Sequence, residues 1–175
     1  MNQQHIRSAY DRDLEAIQAH ILKMGGLVED AILKGSEALL ARDVESAEGV
    51  RAGDKAIDAL EETVNEEVAR VIALRAPVSR DLRVLLSVLR LAASLERMGD
   101  YAKNIAKRVP LIDDTGDRIE PISVLPAMGR MASEMVRDAL DAFAARDADA
   151  AVRVCESDVA LDDFYDSIFR TMVTF

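Results

Sequence analysis

The sequence contains no tryptophan, one cysteine and few residues that break helices, and these absences narrow the class of protein. Aromatic residues make up 4% of the 175 positions, and there are only 4 prolines and 8 glycines. The single cysteine, Cys155, excludes an intramolecular disulfide, and its position within a helical pattern is typical of a small packing residue. Because proline and glycine are so few, we expect long uninterrupted helices.

Long apolar runs and an excess of positive charge are also missing. No apolar run reaches the roughly 18 to 20 residues of a membrane span, and the polar N-terminus lacks the apolar core of a signal peptide. We therefore expect a cytoplasmic protein that is not embedded in the membrane. The 22 basic and 32 acidic residues give a net charge of −10. This balance argues against nucleic-acid binding, because that binding needs Lys and Arg to displace counterions from phosphate.

Enzyme signatures are absent as well. The sequence has no glycine-rich phosphate loop after a strand pattern and no Gly-x-Ser-x-Gly turn. Its two histidines, His5 and His20, do not form the Glu-x-x-His pair of ferritin-like di-iron bundles. We therefore do not expect a conventional hydrolase or oxygenase, and a metal-dependent hydrolase is retained only as an alternative.

The segments between the few breaking residues have helical periodicity. Asp43 is predicted to cap a second helix that runs to about Leu74. Ser79 is predicted to cap a third helix that runs to Val109. The periodicity of the first helix rests on apolar residues three or four apart, namely Leu14, Ile17, Ile21, Met24, Val28 and Ile32. The sequence therefore predicts an all-α fold.

An internal repeat organises these helices. The stretch from Met24 aligns without a gap with the stretch from Met128, at an offset of 104 residues that also relates the capping Asp43 to Asp147. We therefore predict tandem three-helix bundles, with the last helix of the second bundle missing and the chain truncated from a longer parent. The predicted division is a first three-helix repeat at 1–109, a linker at 110–121 and an incomplete second repeat of two helices at 122–175.

Two acidic pairs stand out within the first repeat. Asp54 and Asp58 lie four residues apart on the second helix, and Glu96 and Asp100 lie four apart on the third. Each pair therefore occupies one helix face. Folding the two helices into an antiparallel hairpin brings the pairs within about one turn of each other, given a rise of about 1.5 Å per residue. Clustered carboxylates repel one another unless a cation neutralises them, so this arrangement predicts a metal site.

Further acidic residues extend this prediction. Folding the first helix back brings Glu29 and Asp30 opposite Asp54. Additional ligands or supporting groups are expected from Asp30, Glu61 and Glu62, and the repeat provides a second acidic pair at Asp158 and Asp162. An all-oxygen site suits Mg²⁺, Mn²⁺, Ca²⁺ or iron, whereas zinc is less natural without His or Cys. The alternative is that the acidic residues form ion pairs with Lys and Arg on a solvated face.

The third helix also has a basic face. Its cationic residues are Arg80, Arg83, Arg90, Arg97, Lys103, Lys107 and Arg108. Arg83 and Arg97 are candidates for contact with an acidic partner or an anion, and the alternative is again a solvated face. Gly99 in this helix, like Gly25 and Gly26 in the first, is a predicted point of close helix approach.

The sequence resembles the PhoU family of phosphate-uptake regulators. The matching stretches include "RAPVSRDLRVLLSVLRLAASLERMGDYAKNIAKR" and "DVALDDFYDSIFRTMVTF", and the resemblance runs from about residue 5 to 175. It implies tandem three-helix bundles and multinuclear iron or zinc clusters on E/D-x-x-x-D motifs in a groove open to solvent. The positions that match these motifs are Asp54, Asp58, Glu96, Asp100, Asp158 and Asp162.

The resemblance also implies a function. Members act as negative regulators of the phosphate-starvation response, link a phosphate ABC transporter to a membrane sensor histidine kinase, and form dimers or higher oligomers. A helical scaffold without bound metal is the alternative. Because the second bundle lacks its last helix, we expect an exposed apolar groove that a second copy or a swapped element fills.

Overall fold

The computed structural model describes residues 2–113 and 123–173, and all regular structure within these ranges is helical. The all-α prediction is therefore confirmed. None of the described helices is both long enough and apolar enough to span a membrane. The helices are α1 (Asn2–Ala41), α2 (Val44–Arg75), α3 (Arg80–Ala106), the short α4 (Val109–Asp113), α5 (Leu125–Ala145) and α6 (Ala148–Val173).

The second helix of each repeat begins with the same capping interaction. The Ser46 amide donates to Asp43 Oδ1 at 3.0 Å, and the Ala150 amide donates to Asp147 Oδ1 at 2.9 Å. Each aspartate thereby satisfies a backbone amide that has no partner within its own helix. The predicted cap and its recurrence 104 residues later are confirmed.

The predicted start of α3 is confirmed, with Ser79 at the N-cap position, but the predicted side-chain cap and the predicted end at Val109 were wrong. The Ser79 side chain makes no capping hydrogen bond, and its backbone has a positive φ of 49°. The helix ends at Ala106 instead of Val109 because Pro110 follows: a proline ring clashes with the carbonyl four residues before it, which here belongs to Ala106. Pro110 itself lies in the first turn of α4, where proline is tolerated.

The first three helices pack around one apolar core. α1 contributes Ile17, Ile21, Met24 and Val28, all completely buried, so the predicted apolar stripe of the first helix faces its partners. Burial of this apolar surface supplies the main driving force for the three-helix unit. The core residues from the other two helices are Ile57, Leu60, Val64, Val68, Val71, Leu85, Val88, Ala92 and Leu95.

α5 packs antiparallel on α1, and two glycines make the contact close. A side chain at Gly25 would overlap Leu140, and a side chain at Gly129 would overlap Ser36. At the 104-residue offset, Gly129 is the equivalent of Gly25 and Leu140 is the equivalent of Ser36. Each contact therefore repeats the other with the two helices exchanged, so α1 and α5 are related by a pseudo-two-fold axis. The predicted close approach at Gly25 is confirmed, whereas a side chain at Gly26 would meet open space.

α6 lies at the edge of the described structure and packs mainly on α5. Between the two helices runs a groove of about 580 Å³ whose lining includes Met131 and Phe164. The exposed large apolar residues of α6 are Val152, Val159, Tyr165, Phe169 and Val173. The apolar groove expected in the second repeat is therefore present, while its filling by a second copy stays a prediction. The predicted domain limits also stay predictions, because positions 114–121 of the proposed linker lie outside the described residues.

Candidate metal centre

The crossing of α2 and α3 buries one carboxylate of the acidic pairs. The Asp54 side chain is only 6% exposed, beneath α3. A Cβ at Gly99 would lie 2.9 Å from Ile57 Cδ1 and 3.8 Å from Asp54 Oδ1, so the missing side chain lets the two helices approach at this level. The predicted close approach at Gly99 is confirmed.

A lysine bridges the two helices at this crossing. Lys103 Nζ contacts Asp54 Oδ2, and it also lies 2.6 Å from Asp100 Oδ1. Hydrogen bonds to Asp100 and Asp54 raise the pKa of Lys103 above its usual range, so the ammonium is charged. Asp54 Oδ1, in contrast, is buried without a hydrogen-bond partner. A buried acceptor without a partner is uncommon and costly, which makes this oxygen a candidate ligand atom.

The remaining carboxylates of the two pairs act on one another at the same crossing of α2 and α3. Burial raises the pKa of Glu96 most, followed by the charge of Asp100, the charge of Glu61, a hydrogen bond with Asp100 and the charge of Asp58. The pKa of Asp100 is lowered, chiefly by its hydrogen bond with Lys103. Asp58 is exposed, whereas Glu96 and Asp100 are half-buried. The acidic groups of α2 and α3 therefore form one electrostatically coupled cluster that solvent reaches.

The acidic residues of α1 make their contacts elsewhere. Arg137 of α5 donates to Glu29 Oε2 from Nε at 3.0 Å and from Nη2 at 2.9 Å. Asp30 pairs with Lys34 one turn further along α1, at 2.8 Å. The expected position of Glu29 and Asp30 opposite the α2 pair is not observed, because α5 packs against α1 and supplies the partner of Glu29.

The acidic pair of the second repeat has different surroundings. Asp158 and Asp162 are both exposed on α6, and Glu62 is exposed on α2. Across 2–113 and 123–173, no three His, Cys, Asp or Glu side chains are arranged as a ready metal-binding group. In the first repeat, Lys103 occupies the position between two of the carboxylates.

Lys103 is the residue of this cluster that the sequence patterns did not single out. They placed it on the basic face of α3, with Arg83 and Arg97. It lies three residues after Asp100 and seven after Glu96, so it shares their side of the helix. That spacing was the available signal. Arg83 and Arg97 are exposed, and Arg97 Nη2 donates to the Tyr101 hydroxyl at 3.2 Å.

The chemistry of the donors suits a hard cation, although their side chains are not arranged as a ready binding group within the described residues. Four carboxylates from two helices supply only oxygen ligands, which Mg²⁺, Mn²⁺ and iron accept. The unpartnered, buried Asp54 Oδ1 is the observation on this chain that favours an ion. The residues that would hold the ion are Asp54, Asp58, Glu96 and Asp100.

The chain matches a known family along most of its length. The family model described as "PhoU domain" matches residues 21–109 and 125–175. A relative from Zymomonas mobilis, named phosphate-specific transport system accessory protein PhoU homolog, is 46% identical over 98% of this chain and 72% of its own length. A relative of the same name from Pseudomonas putida is 37% identical over 98% of this chain and 67% of its own length.

Solved structures agree with these matches. The crystal structure of PhoU from Pseudomonas aeruginosa superposes with a TM-score of 0.89 at 35% identity, over 94% of this chain and 79% of its own. The phosphate transport system regulatory protein PhoU from Streptococcus pneumoniae superposes with a TM-score of 0.84 at 29% identity, over 94% and 77% of the two chains. The tandem helical fold is confirmed, and the chain belongs to the PhoU family.

Proposed function

We propose that this chain is a cytoplasmic, metal-binding accessory protein of a phosphate transport system. It restrains the phosphate-starvation response by linking a phosphate ABC transporter to a membrane sensor histidine kinase, it acts as a homodimer, and it catalyses no reaction. The names of the relatives support the accessory role. The observation that carries the metal site is the buried Asp54, which has one oxygen on Lys103 and the other without a partner.

In this proposal the ion takes its ligands from both helices of the hairpin. Asp54 and Asp58 bind from α2, and Glu96 and Asp100 bind from α3. When bound, the metal supplies positive charge that relieves the repulsion among these carboxylates. The family resemblance favours iron or zinc, whereas the all-oxygen donor set also suits Mg²⁺ or Mn²⁺.

The surrounding charges assign distinct roles to the neighbouring residues. Lys103 neutralises Asp54 and Asp100 while the metal is absent, so it competes with the ion for the same oxygens. Glu61 contributes negative charge at Glu96 and supports the site. Asp158 and Asp162 offer a weaker second site, because their exposure leaves them fully hydrated.

Metal content tests the site directly. The protein is purified without added metal and its metals are measured by mass spectrometry, for the unchanged chain, for Asp54→Ala with Glu96→Ala, and for Asp158→Ala with Asp162→Ala. We expect the first pair of substitutions to remove most of the metal and the second pair to remove little. Unchanged metal content after the first pair would show that the ligand assignment is wrong.

A reporter assay tests the regulatory role. A strain lacking its own protein of this family carries a phosphate-starvation promoter fused to a reporter, and the unchanged chain is expected to repress the reporter in phosphate-rich medium. Substituting Asp54 and Glu96 by alanine is expected to release repression. If this variant loses its metal and still represses fully, the protein is a helical scaffold whose regulation does not depend on metal.

A further inference from the structure

Three arginines form a straight line along the outer side of α3, and we call Arg83, Arg90 and Arg97 the basic ridge. They are spaced seven residues apart, which is close to two helical turns, and all three are exposed. At a rise of about 1.5 Å per residue the line is about 21 Å long. The opposite side of α3 holds the buried residues Leu85, Val88, Ala92 and Leu95. The basic ridge therefore faces away from the core.

Few acidic residues lie near the basic ridge. Asp100 follows Arg97 by three residues and pairs with Lys103, whereas no acidic residue of α3 stands three or four residues from Arg83 or Arg90. The acidic residues of α3 are Asp81, Glu96 and Asp100, and the last two belong to the cluster beside α2. Ser87 and Ser94 lie between the arginines along the ridge. The whole chain carries a net charge of −10, so the ridge is a local reversal of sign. Such a patch attracts negative charge at close range, within a Debye length of about 8 Å.

Apolar and aromatic side chains accompany the arginines. Leu86 is 43% exposed, Met98 is 38% exposed and Tyr101 is 58% exposed on the same side of the helix. The hydrogen bond from Arg97 to the Tyr101 hydroxyl holds one guanidinium in place. Arginine, aromatic residues and methionine are enriched at protein interfaces, where an ordered guanidinium loses less entropy on binding.

We propose that the basic ridge docks an acidic helical segment of a protein partner. The planar guanidinium groups match carboxylates in geometry, and lysine would offer only a point charge. A spacing of seven residues is the repeat along which two helices stay in contact, so the partner presents Glu or Asp at the same spacing. The inference rests on the proposed adaptor function, since an adaptor needs a surface for another protein.

A membrane surface fits this face less well. Helices that lie in a bilayer interface bury a broad apolar face, commonly with Trp, Phe and Leu. Here Leu86 and Met98 are more than half covered by the protein itself, and α3 contains neither Trp nor Phe.

Fluorescence anisotropy with a defined peptide tests the ridge. The probe is a labelled four-heptad helical peptide with Glu along one face and Leu beside it, and the same peptide with Gln is the neutral control. We expect Arg83→Glu, Arg90→Glu and Arg97→Glu together to weaken binding of the Glu peptide at least about tenfold. The matched control changes three exposed arginines elsewhere to Glu, namely Arg51, Arg70 and Arg153. Its affinity for the Glu peptide is expected to stay within about twofold of that of the unchanged chain.

The outcomes separate this inference from the proposed metal site. Equal losses in the two triple variants, or equal binding of the Glu and Gln peptides, would overturn the docking surface. It would also be overturned if the ridge variant lost binding only to vesicles of phosphatidylcholine and phosphatidylglycerol. Metal content is measured on the same samples. If the unchanged chain retains metal but does not bind the Glu peptide, the docking surface is wrong and the metal site is unaffected. Replacing the three ridge arginines by Gln repeats the comparison if charge reversal unfolds the chain.

Discussion

The two repeats carry the same acidic pair at the same register, yet in very different surroundings. Asp54 of the first repeat is 6% exposed and touches Lys103 across the hairpin. Asp158, its equivalent 104 residues later, is exposed on α6. The difference arises because α2 packs against both α1 and α3, whereas α6 packs mainly on α5. The acidic motif thus brings two carboxylates onto one face, and the helix packed opposite turns that face into a candidate site.

The largest effect is expected where α3 meets α2. In Gly99→Val the new side chain would overlap Ile57 beside Asp54, so we expect the free energy of unfolding to fall by about 3 kcal/mol. Gly53→Val is the matched control, because a Cβ there meets nothing within 4 Å, and its effect should stay within about 0.5 kcal/mol. Urea denaturation measures both values. Equal effects would show that Gly99 is not a point of close helix approach.

The next largest effect concerns the buried carboxylate itself. In metal-free protein, Asp54→Asn removes a charge that contacts Lys103, and we expect a loss of about 2 kcal/mol in the free energy of unfolding. Asp158→Asn changes an exposed residue of the same motif and should stay within about 0.5 kcal/mol. Thermal unfolding in the presence of a chelator compares the two variants. A similar loss at both positions would remove the distinction between the repeats.

The bridging lysine should influence metal affinity. Lys103→Met removes the ammonium that competes for Asp54 and Asp100, so we expect metal to bind about tenfold more tightly, equivalent to about 1.4 kcal/mol. Lys23→Met is the control, since Lys23 is exposed on α1. Calorimetric titration with Mn²⁺ gives both affinities. Weaker binding in Lys103→Met would mean that the lysine supports the site.

The smallest effect is expected where the repeats are alike. Asp43→Ala and Asp147→Ala each remove a capping hydrogen bond from a backbone amide, so both should lower Tm by about 2–5 °C, with Asp43→Ala at the upper end because Asp43 also accepts from the Ser46 hydroxyl. Hydrogen bonds from the Ser46 side chain and amide lower the pKa of Asp43 below its usual 3.8. The Asp43 cap therefore stabilises the helix fully above the usual, unfolded-state pKa. This stabilisation is lost as the pH falls through the lower pKa of the folded state. A much larger effect at one position would show that capping depends on the tertiary surroundings.

Local features of the fold could be predicted from the sequence because they depend on neighbours in the chain. Asp43 caps α2 through the residue three positions later, and the periodicity of α1 identified its buried face. The antiparallel hairpin also followed from helix length, because two long helices joined by a short connection must lie side by side. For these reasons the approach of the α2 and α3 carboxylates was predictable.

The remaining features depend on contacts far apart in sequence. Glu29 pairs with Arg137, 108 residues away, because α5 packs on α1 with two glycines at the contact. No local pattern specifies which face of α1 receives α5. The role of Lys103 was missed for a similar reason: its spacing places it beside Glu96 and Asp100, but only the packing of α2 brings Asp54 to its ammonium.

The central claim is that the acidic cluster where α2 meets α3 in the first repeat binds metal before the acidic pair of the second. Amide NMR spectra during a titration with Mn²⁺ test it most directly, because the paramagnetic ion broadens signals near its binding site. We predict that the signals of Asp54, Asp58, Glu96 and Asp100 broaden at the lowest metal concentrations, and those of Asp158 and Asp162 only at excess. Simultaneous broadening at both pairs, or earlier broadening on α6, would contradict the claim.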